Sequence, residues 1–133
     1  MPAAQLFFVY GTLRRGDDND ITLLKPAPKF LGQTSIAGTM YHFGGYPGVI
    51  LGYEKSGHGQ IVGEVYEVSP ELEKVLDAIE AQYPVAPDYY IKRSITLSLQ
   101  AGGAPVQAFV YEVNPVYTLG KPIIASGDWV KDR

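Results

Sequence analysis

The 133-residue chain contains no cysteine. Disulfides, thiolate nucleophiles and thiolate metal sites are thereby excluded, and the absence agrees with a reducing compartment. No apolar stretch approaches the length that spans a bilayer. The run from Met1 to Val9 has neither a basic leader nor a small-residue cleavage site, so no signal peptide is expected. The expected location is the cytoplasm, with no membrane partner. Charge of one sign is scarce as well: 11 basic residues stand against 14 acidic ones, for a net charge of −3. No basic run is long enough to follow a phosphate backbone, so nucleic acid is not an expected partner. His42 and His58 are the two histidines, and no metal-ligand spacing surrounds them. Both read as non-catalytic, with His42 a candidate pocket wall, and neither metal nor cofactor is expected. Internal repeats, low-complexity tracts and linkers are also missing, so residues 1–133 are expected to form one domain.

What is abundant is hydrophobic side chain (46%), glycine (15) and proline (10), together with ten tyrosines. The first offsets chain entropy and argues against disorder; the next two predict short elements and many turns. Tyrosine suits half-buried strands and pocket walls, because it has an apolar ring and a polar tip.

Hydrophobic patterning predicts the elements. Leu6 to Tyr10 is a continuous apolar run, the mark of a strand buried on both faces. The stretch from Asp17 to Asp20 offers N-caps for a short helix at Ile21 to Lys25, ended by Pro26 and Pro28. Extended chain from Phe30 to Phe43 is interrupted by Gly32 and Gly38, and short strands follow at Val49 to Leu51 and Ile61 to Val68. Ser69-Pro70-Glu71 is a helix start: the serine oxygen caps, proline tolerates the first turn, and glutamate complements the positive end. Leu72, Val75, Leu76, Ile79 and Tyr83 then recur at helical spacing, and Pro84 and Pro87 close the segment. Tyr89 to Leu99 alternates as a strand, Gln100 to Pro105 connects, and Val106 to Val113 pairs back. About six mostly antiparallel strands, one main helix and one or two short ones predict an α+β fold, its sheet closed into a small barrel that hides the edges.

Three features carry candidate chemistry. Tyr10-Gly11-Thr12-Leu13-Arg14-Arg15-Gly16 follows the buried strand, and a glycine-bearing turn there can aim backbone N–H groups at an anion or carbonyl oxygen; an ordinary strand-ending turn would look the same. It is not a nucleotide-phosphate loop, since Lys-Ser/Thr is missing after the second glycine. Glu80 falls near the end of the main helix, roughly 80° around the axis from Leu72 and so at the rim of the apolar stripe. The negative helix end and partial burial both raise a carboxylate pKa there, as a base acting near neutral pH requires; a half-exposed glutamate without a role fits the same position. Tyr90 and Tyr111 can reach a pocket through their hydroxyls or simply pack. Ser69 reads as a cap, Arg93 as half of an ion pair or a substrate anchor, and Asp128-Trp129 as a lock on the C-terminal tail.

Taken in order, several blocks resemble the gamma-glutamylcyclotransferase-like family. They are Phe8 to Gly16, Gly38 to Tyr41 with Tyr46-Pro47-Gly48, Gly63 to Val68, Leu76-Asp77-Ala78-Ile79-Glu80, Ala108 to Tyr111, and Ser126 to Trp129. The resemblance covers nearly the whole chain. It implies an enzyme of cyclotransferase or lyase type that turns a gamma-glutamyl amine or amide into 5-oxoproline and free amine without a cofactor. Its partner would be a small-molecule gamma-glutamyl substrate, and the chain a monomer or homodimer. The resemblance makes Glu80 the catalytic base and Tyr10, Gly11, Thr12, Leu13, Tyr90 and Tyr111 the substrate-binding residues. Two departures bear on specificity: Ala81 stands where the family usually has glycine, and residues Pro84 to Pro87 form a proline-rich insertion before Tyr89-Tyr90-Ile91-Lys92-Arg93. A non-catalytic metabolite-binding member and a water-using amide hydrolase are the alternatives.

Overall fold

The computed structural model describes residues 5–14, 16, 20–44, 46–52, 59–80, 90–99 and 105–132, apart from the side chains of Glu80 and Asp132. Of the expectations above, Arg15, Asp17 to Asn19, His58, Ala81, Tyr83, the Pro84–Pro87 insertion, Tyr89 and most of the Gln100–Pro105 connection lie outside the described residues.

Six strands form one curled, mixed sheet: β1 (Gln5–Val9), β2 (Lys29–His42), β3 (Pro47–Leu51), β4 (Gln60–Val68), β5 (Tyr90–Leu97) and β6 (Val106–Val113). Their order is β3-β2-β4-β1-β6-β5, and every pairing is antiparallel except β1 with β6. The main helix is α1 (Pro70–Glu80), and a short α2 (Trp129–Asp132) ends the described chain. The fold is therefore the expected small α+β type, with the barrel half closed.

The apolar run at the start occupies the middle of the sheet. Phe7 and Val9 face α1 and pack with Tyr66, Val68, Leu72 and Leu76. Phe8 and Tyr10 face the hollow of the curl and pack with Met40, Val49, Val65, Val110 and Trp129. Both faces of β1 are thus covered, which is why its sequence shows no polar alternation. The helix starts as its cap predicts: Leu72 N donates to Ser69 Oγ at 3.2 Å.

Two expectations need correction. The segment after Asp20 is a single 3-10 turn, Ile21–Leu23, instead of a helix reaching Lys25; Asp20 caps it by accepting from Thr22 N at 2.9 Å. Neither Gly32 nor Gly38 breaks β2, which is continuous. The ladder with β4 absorbs the first irregularity as a register shift between Phe30 and Gly32, an extra residue being the usual way to bend a long strand.

The curl brings β3 across the ends of β6 and β5. Leu51 N donates to Glu112 Oε2 at 2.9 Å, and the Tyr90 hydroxyl donates to Pro47 O at 3.3 Å. Gly48 permits this crossing, because a Cβ there would sit 3.0 Å from Val113 Cβ and 2.6 Å from the Phe43 ring. Gly48→Ala is accordingly expected to lower stability by about 1–3 kcal/mol, the usual cost of overpacking, as measured by urea unfolding.

Candidate active site

A small open-mouthed cleft, with free space of about 20 Å³, lies at the C-terminal end of β1. Phe8 to Leu13 form its floor and one side; Tyr46, Pro47, Tyr90 and Tyr111 form the rest. All six residues expected to hold substrate (Tyr10, Gly11, Thr12, Leu13, Tyr90 and Tyr111) are in this lining.

Each wall is fixed by a specific bond. The turn after Tyr10 is closed by Arg14 N donating to Gly11 O at 2.9 Å, and Leu13 O accepts from Ile21 N at 2.9 Å. Tyr10 donates its hydroxyl to Tyr111 O at 2.6 Å, in a buried bond that ties the loop to β6. Tyr46 is held by Phe43, whose ring stacks on it at 5.7 Å and whose N–H donates to Tyr46 O. Gly11 is pressed against the opposite wall: a Cβ there would lie 2.6 and 2.8 Å from the Pro47 ring. A proline ring cannot swing aside, so a side chain at position 11 would move a cleft wall.

No described lining residue is charged; the charges stand behind the walls. Tyr111 donates its hydroxyl to Asp77 Oδ1 at 2.5 Å. Lys92 pairs with Asp77 at 3.2 Å and also with Glu73, and it lies over the rings of Phe7 and Phe109. Arg93 pairs with buried Glu112 at 3.0 Å, so the ion-pair reading of Arg93 holds. Glu80 is the last residue of α1. Its side chain is outside the described residues, but helical geometry puts its backbone one turn beyond Asp77 and about 60° around the axis from it.

His42, Asp128 and Trp129 can be placed directly. His42 is not in this cleft: its ring packs on Trp129 at 5.1 Å and borders an open groove with Pro122 to Ser126. Asp128 and Trp129 do lock the tail, Asp128 by an ion pair with Arg14 at 2.9 Å and Trp129 by burial. Among the described residues, no group of three or more His, Asp or Glu could hold a metal ion, and no helix is long and apolar enough to cross a membrane.

Sequence reasoning gave no role to Arg14 and Glu64, which form a buried pair at 3.1 Å. A signal existed: Glu64 and Glu112 are carboxylates inside otherwise apolar strand runs, and a buried carboxylate needs a cationic partner.

Residues 7–131 match the family described as gamma-glutamyl cyclotransferase, AIG2-like. The chain is 33% identical over 113 residues to gamma-glutamylaminecyclotransferase of Bos taurus, covering 78% of this chain and 62% of that protein. It is 42% identical over 78 residues to gamma-L-glutamyl-butirosin B gamma-glutamyl cyclotransferase of Niallia circulans, covering 57% and 46% of the two chains. The chain thus spans less than two thirds of the length of either relative. The crystal structure of an AIG2-like protein from Mus musculus superposes with a TM-score of 0.71 at 25% identity, over 96% of this chain and 90% of that one. The chain therefore belongs to the AIG2-like gamma-glutamyl cyclotransferase family.

The tie between loop and β6 is directly measurable. Tyr10→Phe removes the buried hydroxyl that bonds Tyr111 O and is expected to cost about 1–2 kcal/mol in chemical denaturation, with the fold retained in circular dichroism.

Proposed function

We propose that the chain is a cyclotransferase that converts a gamma-glutamyl amine, or a similar small amide, to 5-oxoproline and the free amine, with Glu80 as general base. The observation that carries this reading is the convergence of the Tyr10–Leu13 turn, Tyr90 and Tyr111 on one cleft. Tyr111 in turn bonds Asp77, one helical turn before Glu80.

The chemistry asks little of the protein beyond placement. The Glu80 carboxylate takes a proton from the substrate's α-ammonium. The freed amine attacks the γ-carbonyl carbon, and backbone N–H groups of the Gly11–Leu13 turn steady the oxygen as it gains negative charge. The tetrahedral centre then collapses: the bond to the leaving nitrogen breaks as Glu80 gives its proton to that nitrogen, and the ring nitrogen sheds its second proton through Glu80 to the departing amine, so that a neutral lactam and a protonated amine leave. The nucleophile belongs to the substrate, so neither cysteine nor an activated serine is needed. Holding the chain folded for five-membered ring closure supplies the orientation advantage of an intramolecular reaction, several kcal/mol of barrier at about 10⁵ M effective molarity. The uncharged lining of the described cleft agrees with a site that works by shape and hydrogen bonds.

The test is a panel of gamma-glutamyl amines and amides incubated with wild type and Glu80→Gln, with 5-oxoproline detected by mass. Wild type is expected to release 5-oxoproline from at least one compound. Glu80→Gln should keep the wild-type melting temperature and lose about 10²–10⁴-fold in rate. Equal turnover by the variant would remove Glu80 as the base, and release of free glutamate would mean hydrolysis.

The loop gives a second expectation. Gly11→Val must displace the Pro47 ring and should raise KM at least tenfold, whereas Thr12→Ser leaves the main chain intact and should change KM less than threefold. Equal, large losses would assign the role to the Thr12 side chain.

A further inference from the structure

The guanidinium of Arg14 has no place in the chemistry above, yet it is nearly as buried as the core. Its side chain is 7% exposed and sits between two carboxylates. Arg14 Nε donates to Glu64 Oε2 at 3.1 Å, and Nη1 donates to Asp128 Oδ1 at 2.9 Å. The other Glu64 oxygen accepts from the Tyr66 hydroxyl at 2.8 Å. The trio carries one positive and two negative charges, and a buried arrangement of that kind is a poor way to add stability, since desolvation offsets much of the attraction. What an ionic fork supplies that apolar packing does not is direction.

The two anchors are themselves fixed, and they come from different parts of the chain. Glu64 is on β4 and lies opposite Val9 in the ladder with β1, beside the point where the loop departs. Asp128 belongs to the C-terminal tail, which runs back along the sheet: Ile124 N donates to Met40 O and Val62 N donates to Gly127 O, each at 2.8 Å. Trp129 then plugs the hollow of the curl at 3% exposure. Asp128 Oδ1 also accepts from Lys131 N at 3.1 Å, which closes the start of α2 on the same carboxylate. On the backbone side, Arg14 N closes the Gly11 turn. One residue therefore joins the cleft turn to β4 and to the tail.

We infer that Arg14 is a positioning residue that sets the Gly11–Leu13 main chain, and that the C-terminal tail acts through Asp128 as a strap belonging to the site's scaffold. The kinetic part rests on the cyclotransferase reading; the positional part does not. Lysine cannot replace the arginine, because it lacks both the Nε–H donor that holds Glu64 and the planar fork that aims a second donor at Asp128.

The experiment uses the full chain with Arg14→Lys and Asp128→Asn, well below their melting temperatures. It reads backbone ¹⁵N order parameters together with kcat and KM on whichever gamma-glutamyl amide wild type turns over. Asp128→Asn keeps the Arg14–Glu64 pair and so remains folded even where Arg14→Lys does not. In wild type the Gly11–Leu13 amides should be rigid, with order parameters of about 0.85; in the variants they should fall below about 0.6. Phe7 and Phe8 of β1 and Leu72 to Leu76 of α1 should stay unchanged. kcat/KM should fall about 10²-fold, the effect of a misplacement near 1 Å. Wild-type order in the turn of both variants overturns the inference, as does an even loosening of β1, β4 and α1. A wild-type chain that turns over no gamma-glutamyl compound, while its turn still loosens in the variants, supports the strap and removes the cyclotransferase reading instead.

Discussion

Strand β3 can cross the ends of β6 and β5, and lie against the turn after β1, because two positions at the crossing carry no side chain. Gly48 admits Val113 and the Phe43 ring, and Gly11 admits the Pro47 ring. Any larger residue at either place would hold the sheet open, and the cleft would lose its wall of Tyr46 and Pro47. The crossing also determines which polar groups need partners. Glu112 is buried by it and is satisfied by Leu51 N and Arg93; Tyr90 meets Pro47 O across the same seam. Buried polar groups in such a seam are affordable only when paired, and each of these is.

The distribution of charge follows from the same geometry. The curl leaves the described cleft lined by rings, a proline and a tight turn, while the ionic groups occupy the two flanks. Lys92 with Glu73 and Asp77 lies toward the helix; Arg14 with Glu64 and Asp128 lies toward the tail. The first cluster reaches the cleft through Tyr111 and the second through the Gly11–Arg14 turn. In the proposed reaction the substrate provides nucleophile, electrophile and leaving group, and a cleft that mainly fixes distance and direction suits that division of labour.

Much of this was legible in the residues, and the parts that were not share a cause. The unbroken Leu6–Tyr10 run signalled a strand covered on both faces, and Ser69-Pro70-Glu71 signalled where α1 begins, since both effects are local. Extended chain with two glycines read as interrupted, yet β2 is continuous, because ladder partners on β4 and β3 override weak local preference and a register shift takes up the bend. Of the expected caps before Ile21, Asp20 does cap, but the segment it starts is a single 3-10 turn. Tyr10 to Leu13, Tyr90 and Tyr111 were identifiable as a set only through the order of family blocks; spacing alone left each open. Arg14 was missed because its partner Asp128 lies 114 positions away, and no periodicity links residues that only the returning tail brings together.

The central claim is that the bond-forming nucleophile is the substrate's own amine, held in place by the cleft. Running the reaction of a turned-over gamma-glutamyl amide in H₂¹⁸O tests this most directly. The account predicts 5-oxoproline free of ¹⁸O, because the γ-carbonyl oxygen is retained and water never enters. Glutamate carrying one ¹⁸O in its γ-carboxylate as the first product would contradict it.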